Sequence, residues 1–171
     1  VAMARMTLKF YGQLARDYEF EERRTGYFGQ VLVRKEPVGV VAAIVPFNGP
    51  LFAAMLKVAP ALASGSTVVL KVPVETPLFS YVLAECIQEA GIPAGVINIL
   101  AADRDASEHL VAHPDVAMAS ITGSVVAGRQ VAEICGSQIK RVALELGGKS
   151  AAIVCADADP VKIVPELAKA S

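Results

Sequence analysis

From residue 38 onward, short continuous apolar runs alternate with segments of helical length, and this alternation dominates the chain. An apolar run with no polar member suits a strand covered on both faces, which is how a parallel sheet reads. The pattern predicts strands over 38–45, 67–71, 96–100, 116–121 and 151–155. Between them it predicts helices over 50–63, 78–90, 107–112 and 124–135, with a closing helix opened by Pro160. Pro50 suits a first helical position, where its missing N–H has no intrahelical partner to lose. Gly91 and Pro93 stop the second helix. Strand and helix in strict turn predict an α/β fold, a parallel sheet with helices on both faces and right-handed crossovers.

The first 36 residues read differently. Met3, Met6, Phe10 and Leu14 fall at three- and four-residue steps, the stripe of one helix face, and the pattern fades before Gly26. The charged run 19–24 reads as the solvated end of that helix. Residues 30–35 alternate apolar and polar like a half-exposed strand and stop at Pro37. Two units result: 1–36, an N-terminal helix and arm strand, and 37–171, the main domain.

Composition narrows the class. Hydrophobic residues make up 54% of the 171 positions and charged ones 19%, enough to build one well-buried core. A net charge of −1 gives no electrostatic footprint for nucleic acid or an anionic membrane. The longest apolar stretches, 38–45 and 51–63, are cut by prolines or Lys57 and fall short of the roughly 20 residues of a membrane span. No signal peptide is legible. Cys86, Cys135 and Cys155 lie far apart, and only two histidines accompany them. No metal site is expected from that set, and unpaired cysteines fit a reducing, cytoplasmic compartment.

The stretch 141–150 holds the most unusual chemistry. Glu145 sits between Leu144 and Leu146 in a strand-like run that turns on Gly147 and Gly148. Buried, such a carboxylate would be driven toward the range of a general base; on an edge strand it would be an ordinary solvated acid. Both readings fit, because alternation puts Glu145 on the face opposite its leucines. Gly148-Lys149-Ser150 also ends like a phosphate-binding P-loop, but Ala143 stands where that pattern needs its first glycine, and Glu145 would repel phosphate from the loop.

Three further positions fall where a parallel sheet presents ligand-binding groups, at the C-terminal ends of strands. Ser124, after Gly123 and at a helix start, would help receive a pyrophosphate, or would simply cap its own helix. Lys71 ends a strand, where its ammonium would donate to ribose or phosphate or stay solvated. Asn48, in Pro46-Phe47-Asn48-Gly49-Pro50, would donate to an oxyanion or serve only the turn.

The order and spacing of these pieces resemble the aldehyde dehydrogenase superfamily over nearly the whole chain. The resemblance rests on Pro37-Val38-Gly39-Val40 with Pro46-Phe47-Asn48-Gly49-Pro50-Leu51, on Val69-Leu70-Lys71 with Thr76-Pro77-Leu78, and on the run from Gly91 to Asn98. Thr122-Gly123-Ser124 and Leu144-Glu145-Leu146-Gly147-Gly148-Lys149-Ser150 complete it, and the last block is the most specific.

That resemblance implies a Rossmann-like sheet and NAD or NADP as cofactor. It implies oxidation of an aldehyde to a carboxylic acid through a cysteine thiohemiacetal and thioester. Asn48 would stabilise the oxyanion and Glu145 would activate the hydrolytic water. Lys71 would meet the adenosine ribose and Ser124 the pyrophosphate, with Pro46, Phe47, Gly123 and Gly128 completing the cofactor site. Residues 30–35 would belong to an oligomerisation arm, so a homo-oligomer is expected. The family's nucleophilic cysteine follows its general base at a distance beyond Ser171, so the chain is expected to be a fragment, inactive alone. The three cysteines present read as core positions. Val74 stands where the family often has an acid on the NAD ribose, and Glu75 would reach it by a one-residue shift. The alternative is a nucleotide-binding module with no chemistry.

Overall fold

The computed structural model describes residues 1–170. Its centre is a five-stranded parallel sheet in the order β5-β4-β3-β6-β7. The strands are β3 (Val40–Ile44), β4 (Thr67–Val72), β5 (Ile97–Ala101), β6 (Val116–Gly123) and β7 (Arg141–Leu146). The helices between them are α2 (Pro50–Ala63), α3 (Leu78–Glu89), α4 (Arg104–Ala112) and α5 (Val125–Ser137), and α6 (Pro160–Ala170) follows. Apart from 151–155, the apolar runs become strands and helices within a few residues of the predicted limits, with α2 beginning at Pro50 as its ring allows.

The strand order has a physical consequence. From β3 the chain moves outward through β4 and β5, then returns to β3's other side for β6 and β7. Two connections leaving β3 and β6 in opposite directions open a crevice past the ends of those adjacent strands. Ile44 and Ile121 are register partners at that point.

Each face of the sheet has its own core. Val41, Ala43 and Val45 of the β3 segment join Val68, Leu70 and Val72 of β4 beneath α2. Ile44 points the other way, with Ala119, Ile121, Val111, Val131 and Cys135 under α4 and α5. Alternation along β3 thus feeds both cores, which is why the run has no polar member.

α1 (Ala2–Asp17) packs against α2 and buries Ala4 in the first core. Where a solvated helix end was expected at 19–24, the chain forms β1 (Glu21–Gly26), antiparallel to β2 (Gly29–Arg34). The charges did not prevent a strand because both faces of this hairpin are largely exposed, and Arg34 Nε donates across it to Glu21 Oε1 at 2.7 Å.

The strand expected at 151–155 does not form. The segment has no regular structure and Ile153 is 87% exposed, because no neighbouring strand within the described residues offers it a hydrogen-bond ladder. Cys155 is consequently exposed, and Cys86 is exposed on α3; only Cys135 is a core residue as expected. Burial pushes the Cys135 thiol pKa up, with Lys140 opposing.

Candidate active site at the end of the sheet

At the crevice, β3 runs into Pro46-Phe47-Asn48 and β6 into Thr122-Gly123-Ser124. β7 lies beside β6 with Glu145 opposite Thr122 and Leu146 opposite Gly123, and Gly147 N–H donates to Gly123 O at 3.1 Å. One cleft of about 360 Å³ is lined by Pro46, Phe47, Asn48, Gly123, Ser124 and Glu145 with their neighbours. Six positions singled out from sequence thus meet in one place, though they span 100 residues of chain, from 46 to 145.

A second cleft of about 370 Å³ adjoins on the α4 side and contains Lys71, Val74, Glu75, Asp103, Arg104 and Ser124. Ser124 lines both. Its hydroxyl oxygen accepts from Ala127 N–H at 3.2 Å and so caps α5, as one reading required. A hydroxyl that accepts keeps its own proton, so capping leaves Ser124 free to donate to an anion at the helix N-terminus. The two readings of Ser124 are compatible.

Gly123 leaves the floor of the cleft open: a Cβ there would meet only Ile121, at 3.6 Å. Gly128 lines neither cleft. Its missing Cβ instead receives Leu146, whose Cδ1 would stand 2.6 Å from a Cβ at that position. Glu145 and Asn48 are exposed, and the structure therefore holds the edge-strand form of Glu145 rather than the buried one. Gly148-Lys149-Ser150 leads into an unpaired stretch and α6 starts only at Pro160, so among the described residues no helix follows those glycines directly as a P-loop needs.

Lys57 was overlooked as a functional candidate. It lies on the buried side of α2, 6% exposed, and its Nζ donates to Ser120 Oγ at 3.2 Å. Burial lowers its pKa, and the nearby negative charge of Glu145 opposes that shift. The signal was in the sequence: Lys57 interrupts an apolar helix on the face shared by Ala53, Ala54, Val58 and Ala61. Lys71 is similarly shifted downward by burial, against the charges of Glu75 and Asp103. Among the described residues no cluster of three potential metal ligands comes together.

Comparison with known proteins agrees with this geometry. The model of the aldehyde dehydrogenase family matches residues 1–171. Geranial dehydrogenase of Castellaniella defragrans is 49% identical over 165 residues, covering 96% of this chain and 34% of that protein. Phenylacetaldehyde dehydrogenase of Pseudomonas fluorescens is 53% identical over 128 residues, 74% of this chain and 26% of its own length. Among solved structures, an aldehyde dehydrogenase of Mycobacterium tuberculosis complexed with NAD+ superposes with a TM-score of 0.88 at 42% identity, covering 95% of this chain and 34% of that one. A mutant aldehyde dehydrogenase C of Pseudomonas syringae complexed with NAD+ and octanal gives 0.89 at 40% identity, covering 97% and 34%. The chain spans about a third of the length of these relatives, or less.

Proposed function

The chain belongs to the aldehyde dehydrogenase family, and from that premise we propose that the intact protein oxidises an aldehyde to a carboxylic acid with NAD or NADP. The observation that carries the reading is the position of Ser124. It stands at the N-terminus of α5 where the two clefts meet, one holding Lys71 and the other Asn48 and Glu145. An elongated dinucleotide needs that layout: a pyrophosphate site in the middle, a ribose site on one side and reacting groups on the other.

The residues divide the work by their chemistry. Ser124 and the first-turn N–H groups of α5 bind the pyrophosphate, and Gly123 gives it close access to the backbone. Lys71 donates to ribose hydroxyls. Pro46 and Phe47 wall the reacting end of the site. A dinucleotide held by these residues would supply the hydride acceptor that oxidation of an aldehyde needs. Asn48 donates from its amide to the carbonyl oxygen as that atom gains charge. Glu145 takes a proton from the water that releases the acid. The ammonium of Lys57 lies within electrostatic reach of Glu145, whose charge opposes the desolvation of that lysine. None of the three cysteines lines either cleft, so the nucleophile is assigned to a part of the protein other than this chain.

Two relatives with aldehyde substrates in their names support the substrate class. Tyr27 and Phe28, 97% and 98% exposed at the tip of the β1–β2 arm, support a homo-oligomer assembled through that arm.

Glu145→Gln in the intact protein tests the assignment. Steady-state oxidation should fall by roughly 10²- to 10⁴-fold while the first turnover of NAD(P)H formation persists, because only water activation is removed. Dinucleotide binding with no aldehyde-dependent reduction in the unmutated protein would instead establish a non-catalytic nucleotide module.

A further inference from the structure

The chain's two histidines, His109 and His113, lie four residues apart and are too few to suggest a metal by count alone. The fold changes that reading. Residues at i and i+4 are neighbours on one face of a helix, and α4 carries His109 in its last turn while His113 caps its C-terminal end. Their ring centroids stand 6.4 Å apart with the planes at 73°. Two imidazoles on one zinc-like cation, each with a nitrogen at about 2.0–2.1 Å, hold their centroids roughly 5–6 Å apart. Both side chains are exposed, so a small rotation closes the difference.

The surroundings of His113 supply what such a ligand needs on its other nitrogen. Its Nδ1 accepts from Asp115 N–H at 3.3 Å and lies 4.0 Å from Asp115 Oδ2. An imidazole that ligates through Nε2 carries its proton on Nδ1, and metal-bound histidines usually donate that N–H to a carboxylate or carbonyl. Asp115 is placed to receive it. The backbone at His113 is also held in advance: Lys140 Nζ donates to His113 O at 2.6 Å and Val116 N–H donates to the same oxygen at 3.0 Å. Preorganisation of this kind lowers the cost of binding. The Lys140 ammonium repels a second cation, which keeps the site weaker than a closed centre of four protein ligands.

The geometry points to a two-histidine chelate for a divalent transition-metal ion, Zn2+, Ni2+ or Cu2+, at the C-terminal end of α4. Imidazole nitrogen suits these ions, whereas Mg2+ and Ca2+ seek oxygen ligands. Water fills the remaining coordination positions, because among the described residues no third protein ligand completes the set, and Asp115 acts on the cation only through His113. The site stands apart from the proposed reaction, since neither histidine lines either cleft. A bound cation would fasten the last turn of α4 across its cap, at the end of a helix where positive charge is favoured.

The test is calorimetric titration of the intact protein with Zn2+ and with Ni2+ in a buffer that does not bind metals, beside His109→Gln, His113→Gln and Asp115→Asn. Metal bound elsewhere on the protein cancels in the differences. Each histidine variant should weaken one binding event by about tenfold or more, since a single imidazole cannot chelate. Asp115→Asn should weaken the same event by about tenfold, the lower end of what loss of such an outer partner costs. Added Ni2+ should raise the Tm of the unmutated protein more than that of either histidine variant. An excess of Mg2+ should leave the titration unchanged. Titrations that His109→Gln leaves unaltered, or a binding event that Mg2+ displaces, overturn the inference. All three residues are exposed, so the substitutions leave the folded core intact.

Discussion

Leu146 fills the space that a side chain on Gly128 would occupy, so α5 and β7 approach as closely as a bare Cα allows. Ser124 caps α5 and Glu145 lies on β7, so the Gly128–Leu146 contact fixes how close the two proposed site residues stand. Gly128 is thus a packing glycine that serves the site at one remove.

Gly128→Ala should therefore destabilise by about 1–3 kcal/mol, the usual range for overpacking a close contact. Leu146→Ala alone removes packing, but in the double variant it should restore part of the loss, because the new methyl then has room. Chemical denaturation of the four proteins measures this coupling. Strictly additive losses would mean that the two residues do not compete for the same space.

Lys57 offers a different test. Its ammonium is buried with Ser120 as its hydrogen-bond acceptor, and burial outweighs the help it gets from Glu145. The folded pKa lies below the unfolded one, so the penalty is complete below the folded pKa and is relieved as pH rises toward the ordinary lysine range. Lys57→Met should raise stability at neutral pH by about 1 kcal/mol and lose that advantage in alkali. Unfolding free energies at several pH values read both signs.

Ser124 can be separated into its two roles. Ser124→Asp preserves a cap acceptor and adds negative charge where a pyrophosphate is proposed; Ser124→Gly weakens the cap only slightly and removes the hydroxyl. We expect the aspartate variant to melt near the unmutated protein and to bind dinucleotide at least about tenfold more weakly. Unaltered binding by that variant would leave Ser124 as a cap alone.

Lys140 closes the loop between α5 and β7 by donating from Nζ to Val111 O at 2.8 Å and His113 O at 2.6 Å, at the C-terminal end of α4. Lys140→Met should cost about 1 kcal/mol, the net worth of such bonds at a partly exposed site. A thermal melt suffices, and no change would mean that water replaces the ammonium without loss.

Much of this was legible in the linear pattern. Continuous apolar runs dictated a parallel sheet because a strand covered on both faces has no room for a polar residue, and Pro50, Gly91 and Pro160 marked helix limits through backbone geometry alone. Ser124, Asn48 and Lys71 stood out as polar groups at the ends of strands, and Glu145 as an acid inside an apolar run. Where the fold depended on partners, the pattern misled. Residues 151–155 are as apolar as a strand but have no ladder to join, while the charged residues 21–24 still form the start of β1, because β2 supplies one. The exposure of Cys86 and Cys155, the burial of Lys57 and the fit of Leu146 into Gly128 are likewise decided by what comes close in three dimensions. Local periodicity is a property of neighbours in the chain, and it fixed the elements and their order. Desolvation, charge balance and steric fit are properties of neighbours in space, and only the packed sheet could assign them.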